Sequence, residues 1–101
     1  MATVSAALET QKPSLVFFHS RVSGACRRAE GFLAQVLQRR RNHETFRLYR
    51  VAQEERPDLV DRFGIAVMPT IVVVEGKIAK ARLERPRGCR EIEAFLAPWL
   101  N

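Results

Sequence analysis

Residues 63–70 read Phe63-Gly64-Ile65-Ala66-Val67-Met68-Pro69-Thr70, and this stretch decides how the second half of the chain folds. The apolar residues between 57 and 63 are spaced for a short helix, and Gly64 can end it because glycine readily adopts the left-handed conformation. Residues 71–74 form an apolar run that is typical of a strand, and a Glu-Gly turn leads back into a second strand at 78–83. The stretch therefore joins a helix to a β-hairpin.

The N-terminal half predicts a strand, a helix and a second strand. Residues 15–18 are uninterruptedly apolar, as in strands buried on both faces of a parallel sheet. The helix follows from apolar residues at steps of three and four, with Ser23 as N-cap: Cys26, Ala29, Leu33, Val36 and Leu37. Residues 46–51 read as the next strand, and such a connection implies a parallel pair with a right-handed crossover. Two further helices are expected, at residues 3–9 and around Ile92, Phe95, Leu96 and Trp99.

The bulk properties bound the class of protein. A chain of 101 residues predicts a single domain over residues 1–101. Two cysteines are too few for a disulfide framework and no signal-peptide pattern is readable, so we expect the reducing cytosol. The apolar runs are far shorter than the roughly 20 residues of a membrane span, and no membrane anchor is expected. The net charge of +6 suits acidic partners. Nucleic-acid binding is not expected, because RNA-binding, zinc-finger and phosphate-loop motifs are missing.

Taken together, these elements resemble the thioredoxin family over essentially the whole chain. Residues 23–26, Ser-Gly-Ala-Cys, stand where that family has Cys-Gly-Pro-Cys. Residues 63–70 look like the family segment that ends in a cis-proline and a threonine, and the hairpin at 72–77 precedes an amphipathic helix in both. The resemblance implies an α/β, thioredoxin-like fold with a central mixed sheet of about four strands flanked by helices. The first strand of the family is expected to be missing, because thirteen residues are too few for it and the first helix.

Three departures from the family pattern affect its chemistry. Ser23 replaces the attacking cysteine, and a hydroxyl is far less acidic than a thiol and cannot form a disulfide. Phe17 stands where the family keeps a buried acid that moves protons, and Val22 stands where it has a tryptophan. Ordinary dithiol reductase activity is therefore not expected, and the three changes together indicate a different task.

Cys26 is the candidate reactive thiol. The start of a helix and the neighbouring arginines favour a thiolate, whereas burial opposes ionisation, so a reactive thiol and an inert core residue both stay open. Ser23 would belong to the same site if it is active. Cys89, expected in the first turn of the last helix, is a candidate resolving thiol for Cys26. Packed helix axes lie about 8 to 10 Å apart while disulfides need Cα atoms within about 7 Å, so that role would require movement.

A partner surface follows from the same resemblance. In the family, the backbone before the cis-proline pairs with an extended segment of the partner through main-chain hydrogen bonds, which need no cysteine. The loop at 85–90 borders this groove, and we expect its arginines to face Arg21 and Arg27. Such a basic rim suits carboxylates, as in an acidic peptide or glutathione. The residues expected to bind the partner are Val67, Met68, Pro69, Arg21, Arg85 and Arg87.

Two classes of function stay open. The first is a protein-binding module, an adaptor or co-chaperone-like domain, similar at residues 18–26 and 64–70 to the Ser-x-x-Cys thioredoxin domains of bacterial chaperedoxins. The second is a single-cysteine thiol-disulfide oxidoreductase or glutathione-dependent redox protein that uses Cys26. Peroxiredoxins also use Thr/Ser-x-x-Cys, but with a proline where this chain has His19. We expect His19 and His43 to be structural, and expect no metal and no cofactor.

Overall fold

The structure is a computed structural model, and the residues it describes are 12–39 and 45–99. The elements follow in the predicted order: β1 (Ser14–His19), α1 (Gly24–Gln38), β2 (Arg47–Ala52), α2 (Pro57–Arg62), β3 (Thr70–Glu75), β4 (Ile78–Glu84) and α3 (Cys89–Leu96). A short 3-10 helix, Ala97–Trp99, extends α3. The helix predicted at residues 3–9 and the side chain of His43 lie outside the described residues.

The strands form one mixed sheet of four strands in the order β2-β1-β3-β4. β1 pairs with β2 in parallel, as the predicted crossover requires, and with β3 in antiparallel fashion. β3 and β4 form the antiparallel hairpin, and Gly76 at its turn has a φ of 62° that favours glycine. The sheet has the expected four strands in the part of the chain that the structure covers.

Side chains of β1 alternate between the two faces of the sheet, and both faces are covered. Leu15 and Phe17 pack beneath α1 and α3 in the larger apolar cluster. Val16 and Phe18 point to the opposite face, where they pack with residues of α2 and the loop after it. All five apolar positions predicted for α1 are buried, which fixes the helix across the sheet. No helix within residues 12–39 and 45–99 is long and apolar enough to cross a membrane.

The end of α2 sets the path of the chain into β3. Gly64 has a φ of 63° and follows the helix, in the conformation expected for a glycine after a helix end. Arg82 of β4 donates hydrogen bonds to the carbonyl oxygens of Phe63, at 2.6 Å, and Gly64, at 3.2 Å. These contacts join the two residues that follow α2 to β4 and so hold the start of the loop that leads to Pro69.

Candidate functional site

Cys26 lies at the start of α1 and is almost fully buried, with 2% of its surface exposed. Its sulfur accepts a hydrogen bond from the backbone N–H of Ser20, which is 3.3 Å away. The hydroxyl of Ser23 accepts the backbone N–H of Cys26 at 3.3 Å, as an N-cap should. The two side chains of the Ser-x-x-Cys motif are therefore both engaged in holding the helix start.

Ser20 connects this helix start to the turn after β2. Its hydroxyl donates to Glu54 Oε2 at 2.7 Å, and the backbone N–H of Arg21 donates to Glu54 Oε1 at 3.3 Å. These hydrogen bonds, chiefly the one from the Ser20 hydroxyl, hold the pKa of the Glu54 carboxyl below its ordinary value. Sequence reasoning missed Glu54, which lies in a run of polar residues with no motif around it.

Cys89 occupies the first turn of α3, as expected, but the structure does not bring it to Cys26. Its thiol lies 3.0 Å from Gln35 Oε1 and 3.7 Å from the carbonyl oxygen of Phe32. These α1 residues follow Cys26 by six and nine positions, a rise of about 9 to 13 Å along the helix. The reason is the crossing of α1 and α3, which places the start of α3 beside the middle of α1. A resolving role for Cys89 would require a large displacement of one helix.

The turn before β3 contains backbone groups that pair with none of the residues that the structure describes. The Met68-Pro69 peptide bond is cis, Pro69 is buried, and Thr70 Oγ1 donates to the Val67 carbonyl oxygen at 2.8 Å. The Pro69 carbonyl oxygen accepts the backbone N–H of Arg85 at 2.8 Å. In contrast, neither the N–H nor the C=O of Met68 is hydrogen bonded to any residue within 12–39 and 45–99. Among the described residues, this turn therefore has one main-chain donor and one main-chain acceptor without a partner.

A groove of about 840 Å³ runs beside that turn. Its walls come from the start of α1, the cis-proline turn and the loop between β4 and α3. The lining residues are Ser23, Ala25, Arg28, Phe32, Met68, Pro69, Glu84, Arg85, Pro86, Arg87 and Glu91. The groove thus combines charged side chains with the apolar side chains of Phe32 and Met68.

The structure brings only some of the predicted rim residues together at the groove. Arg85 and Arg87 line the groove, but Arg21 and Arg27 do not. Arg21 forms an ion pair with Glu55 in the turn after β2, which draws it away. Arg28 takes the place expected for Arg27, because successive helix residues point about 100° apart. Val67, another predicted contact, is half-buried and is not among the residues that line the groove.

The histidines and acids do not form a metal site among the residues that the structure describes. His19 stacks against Phe17, with ring centroids 5.4 Å apart and ring planes 14° from parallel. That contact gives His19 a packing role at the end of β1.

The mixed sheet, the cis-proline turn and the Ser-x-x-Cys helix start together define a thioredoxin-like domain. The thioredoxin family model matches residues 2–98, and the chain belongs to the thioredoxin family. A comparison with curated protein sequences finds no match.

Solved structures share this fold. Desulfothioredoxin from Desulfovibrio vulgaris Hildenborough is 25% identical, with a TM-score of 0.75 over 92% of this chain and 86% of that one. Trxlp from Edwardsiella tarda is 17% identical, with a TM-score of 0.77 over 94% of this chain and 91% of that one. Thioredoxin O2 from Arabidopsis thaliana is 16% identical, with a TM-score of 0.72 over 96% and 86% of the two chains.

Proposed function

We propose that this protein is a binding module of the thioredoxin family, adaptor or co-chaperone-like, that holds an extended segment of a partner protein in the groove. The observation that carries the proposal is that Met68 lines the groove and that its N–H and C=O pair with no residue within 12–39 and 45–99. An extended peptide can pair with such a donor and acceptor in the manner of an added strand. A backbone N–H or C=O that is shielded from water without a hydrogen bond costs free energy, so a partner that supplies the hydrogen bond is favoured.

The state of the cysteine supports binding over catalysis. Cys26 is buried and its sulfur already accepts the Ser20 N–H, while the groove is lined by Ser23 and Ala25 rather than by the thiol. A nucleophilic thiol must meet its substrate, and redox-active cysteines are accessible as a rule. Ser23 supplies no second sulfur, so no disulfide can form across the motif. We therefore assign the groove to recognition and Cys26 to the packing of α1.

A single-cysteine oxidoreductase, including a glutathione-dependent one, is the second candidate. It is favoured by the position of Cys26 in the first turn of α1, with an N–H directed at its sulfur. In this function Ser23 and Cys26 would act together, and an opening of the helix start would expose the thiol. The two candidates differ in one respect that is easily measured, because only the second requires the sulfur atom.

Peptide selection tests the proposed function directly. A phage-displayed library of random peptides would be panned against the wild-type protein and against Cys26→Ala, whose fold is checked by circular dichroism. We expect both proteins to select the same peptides. The bound peptides should shift the NMR amide signals of Met68 and Arg85 and leave unchanged that of Tyr49, which lies on β2 outside the groove. Selection that requires Cys26, or shifts confined to other surfaces, would contradict the binding function.

The partner chemistry proposed with this function is an acidic protein segment, or glutathione as a smaller carboxylate ligand, in the reducing cytosol. Three arginines line the groove, and guanidinium groups match carboxylates in geometry as well as charge.

A further inference from the structure

Three arginines line the groove, and they come from two different parts of the fold. Arg28 comes from α1, and Arg85 and Arg87 come from the loop between β4 and α3. No ion pair or side-chain hydrogen bond joins their guanidinium groups to another residue in the described part of the chain. Arg28 Nη1 lies close to the helix start, 3.6 Å from the point where a Cβ on Gly24 would stand. Cationic groups therefore stand on both walls of the same groove.

The two acidic residues that line the groove form no ion pairs with these arginines in the part of the chain that the structure describes. Glu91 Oε1 accepts the backbone N–H of Arg87 at 2.7 Å, so this carboxylate shapes the loop. Glu84 is exposed at the end of β4 and forms no ion pair with residues that the structure describes. Three guanidinium groups against two carboxylates leave an excess of positive charge in a concave site, where an anionic ligand is favoured.

Arg85 has a backbone conformation that is energetically unfavourable for an arginine. Its φ is 48°, in the left-handed region that disfavours residues with a Cβ. The two other described residues with such a φ are Gly64 and Gly76. The Arg85 N–H donates to the Pro69 carbonyl oxygen, so this residue is linked directly to the cis-proline turn. A strained residue at a groove wall points to a use for its side chain.

We propose that Arg85, together with Arg28 and Arg87, determines the specificity of the groove, and that the partner segment is acidic, with carboxylates on both sides of its backbone contact with Met68. This inference rests on the proposed function. Alternate side chains of an extended segment project to opposite sides, so two acidic residues can reach the two basic walls while the backbone pairs at the turn. The partner that we propose is a protein segment, because an extended chain can present further acidic residues along the groove beyond the backbone contact at Met68.

The composition of the selected peptides tests the inference. Peptides selected on the wild-type protein should be enriched in Asp and Glu. One of them, with a version in which every Asp and Glu is replaced by the amide, would be titrated by fluorescence anisotropy. We expect the amide version to bind at least tenfold more weakly, and the difference to shrink in high salt.

Variants at position 85 separate the effect of the arginine charge from the effect of the backbone conformation. Arg85→Gln keeps the strain and removes the charge, whereas Arg85→Gly removes both. Both variants should bind the acidic peptide about tenfold more weakly than the wild type does, and both should bind the amide version with unchanged affinity. The melting temperature of Arg85→Gly should not fall, because glycine accepts the left-handed conformation. The control is Arg47→Gln, which removes the same charge from β2, outside the groove, and should bind the acidic peptide as tightly as the wild type does.

The outcomes are distinguishable. Peptides that bind at Met68 without acidic enrichment, or an acidic preference that survives in Arg85→Gln, would overturn the inference and leave the binding function standing. Failure to select any peptide that binds at Met68 would overturn both. S-methylglutathione serves as the probe for the smaller ligand: if it displaces the peptide at concentrations below the peptide's own Kd, the inference of a protein segment is wrong.

Discussion

The backbone N–H of Ser20 donates a hydrogen bond to the sulfur of Cys26, 3.3 Å away, at the point where β1 ends and α1 begins. The remaining cysteine of the motif therefore acts as a local acceptor within the fold. Around it, the Ser20 hydroxyl is bonded to Glu54 and the Ser23 hydroxyl caps α1. Three hydrogen bonds therefore hold the segment that carries the attacking sulfur in thioredoxins, and none of them requires redox chemistry.

The two thiols should differ in reactivity in the native protein. Cys26 is buried and Cys89 is half-buried, so iodoacetamide should modify Cys89 first. Modification of Cys26 should require a local opening of the start of α1. In urea, the rate of modification at Cys26 should approach the rate at Cys89. Peptide mass spectrometry after timed quenching measures both sites in one sample. Faster native labelling at Cys26 would instead favour the oxidoreductase.

Ser23→Cys should restore a disulfide that the natural sequence cannot form. The side chain at position 23 already lies beside the backbone of Cys26, within the same helical turn. We expect the variant to lose two hydrogens on mild oxidation and to reduce insulin slowly with dithiothreitol as electron donor, while the wild-type protein shows no turnover. Activity should stay well below that of thioredoxins, because Phe17 cannot carry a proton.

The control for that experiment is the double variant Ser23→Cys, Cys26→Ala, which has one thiol in the motif and should show neither effect. If Ser23→Cys fails to oxidise, the backbone at the helix start differs from that of a dithiol site.

Glu54 should make the protein sensitive to acid. The hydrogen bond from the Ser20 hydroxyl keeps the pKa of Glu54 in the folded protein below its unfolded value. Its stabilising effect is therefore complete above the unfolded pKa and is lost as the pH falls through the folded pKa. Urea unfolding from about pH 7 to about pH 3 should show a smaller loss of stability in Glu54→Gln than in the wild type. Glu75→Gln, at an exposed position at the end of β3, should retain the wild-type pH dependence.

Phe17→Asp should not restore the acid of the family without damage. Phe17 is 1% exposed and lies in the apolar cluster beneath α1. A carboxyl group there would be buried without a prepared partner, at an expected cost of at least about 3 kcal/mol in the free energy of unfolding. The control Phe17→Leu should cost about 1 to 2 kcal/mol. Denaturant titration of both variants decides the matter, and equal stabilities would mean that water reaches this position.

Much of the fold could be predicted from local sequence patterns. The buried face of α1 follows from steps of three and four, and the hairpin follows from an apolar run, a Glu-Gly turn and a second run. The strand predicted at 46–51 is shifted by one residue, to Arg47–Ala52, since Phe46 belongs to the core but precedes the ladder. These features depend on neighbours in sequence, which the chain itself displays.

The candidate site was harder to predict because its contacts join distant residues. The bond between Ser20 and Glu54 spans 34 positions, and either Glu54 or Glu55 could have taken it. Arg21 was expected in the groove, but its ion pair with Glu55 depends on the course of the turn after β2. The position of Cys89 relative to α1 follows from the crossing of two helices, which no local pattern specifies.

The walls of the groove come from three segments that lie far apart in the chain, at residues 23–32, 68–69 and 84–91. The groove therefore exists only in the folded protein, and any ligand held there is linked to folding through mass action. A partner present at a hundred times its Kd would raise the free energy of unfolding by about 2.7 kcal/mol. Such a partner would raise the melting temperature of this protein and slow its degradation in the cell. The cellular amount of the protein would therefore depend on the amount of its partner.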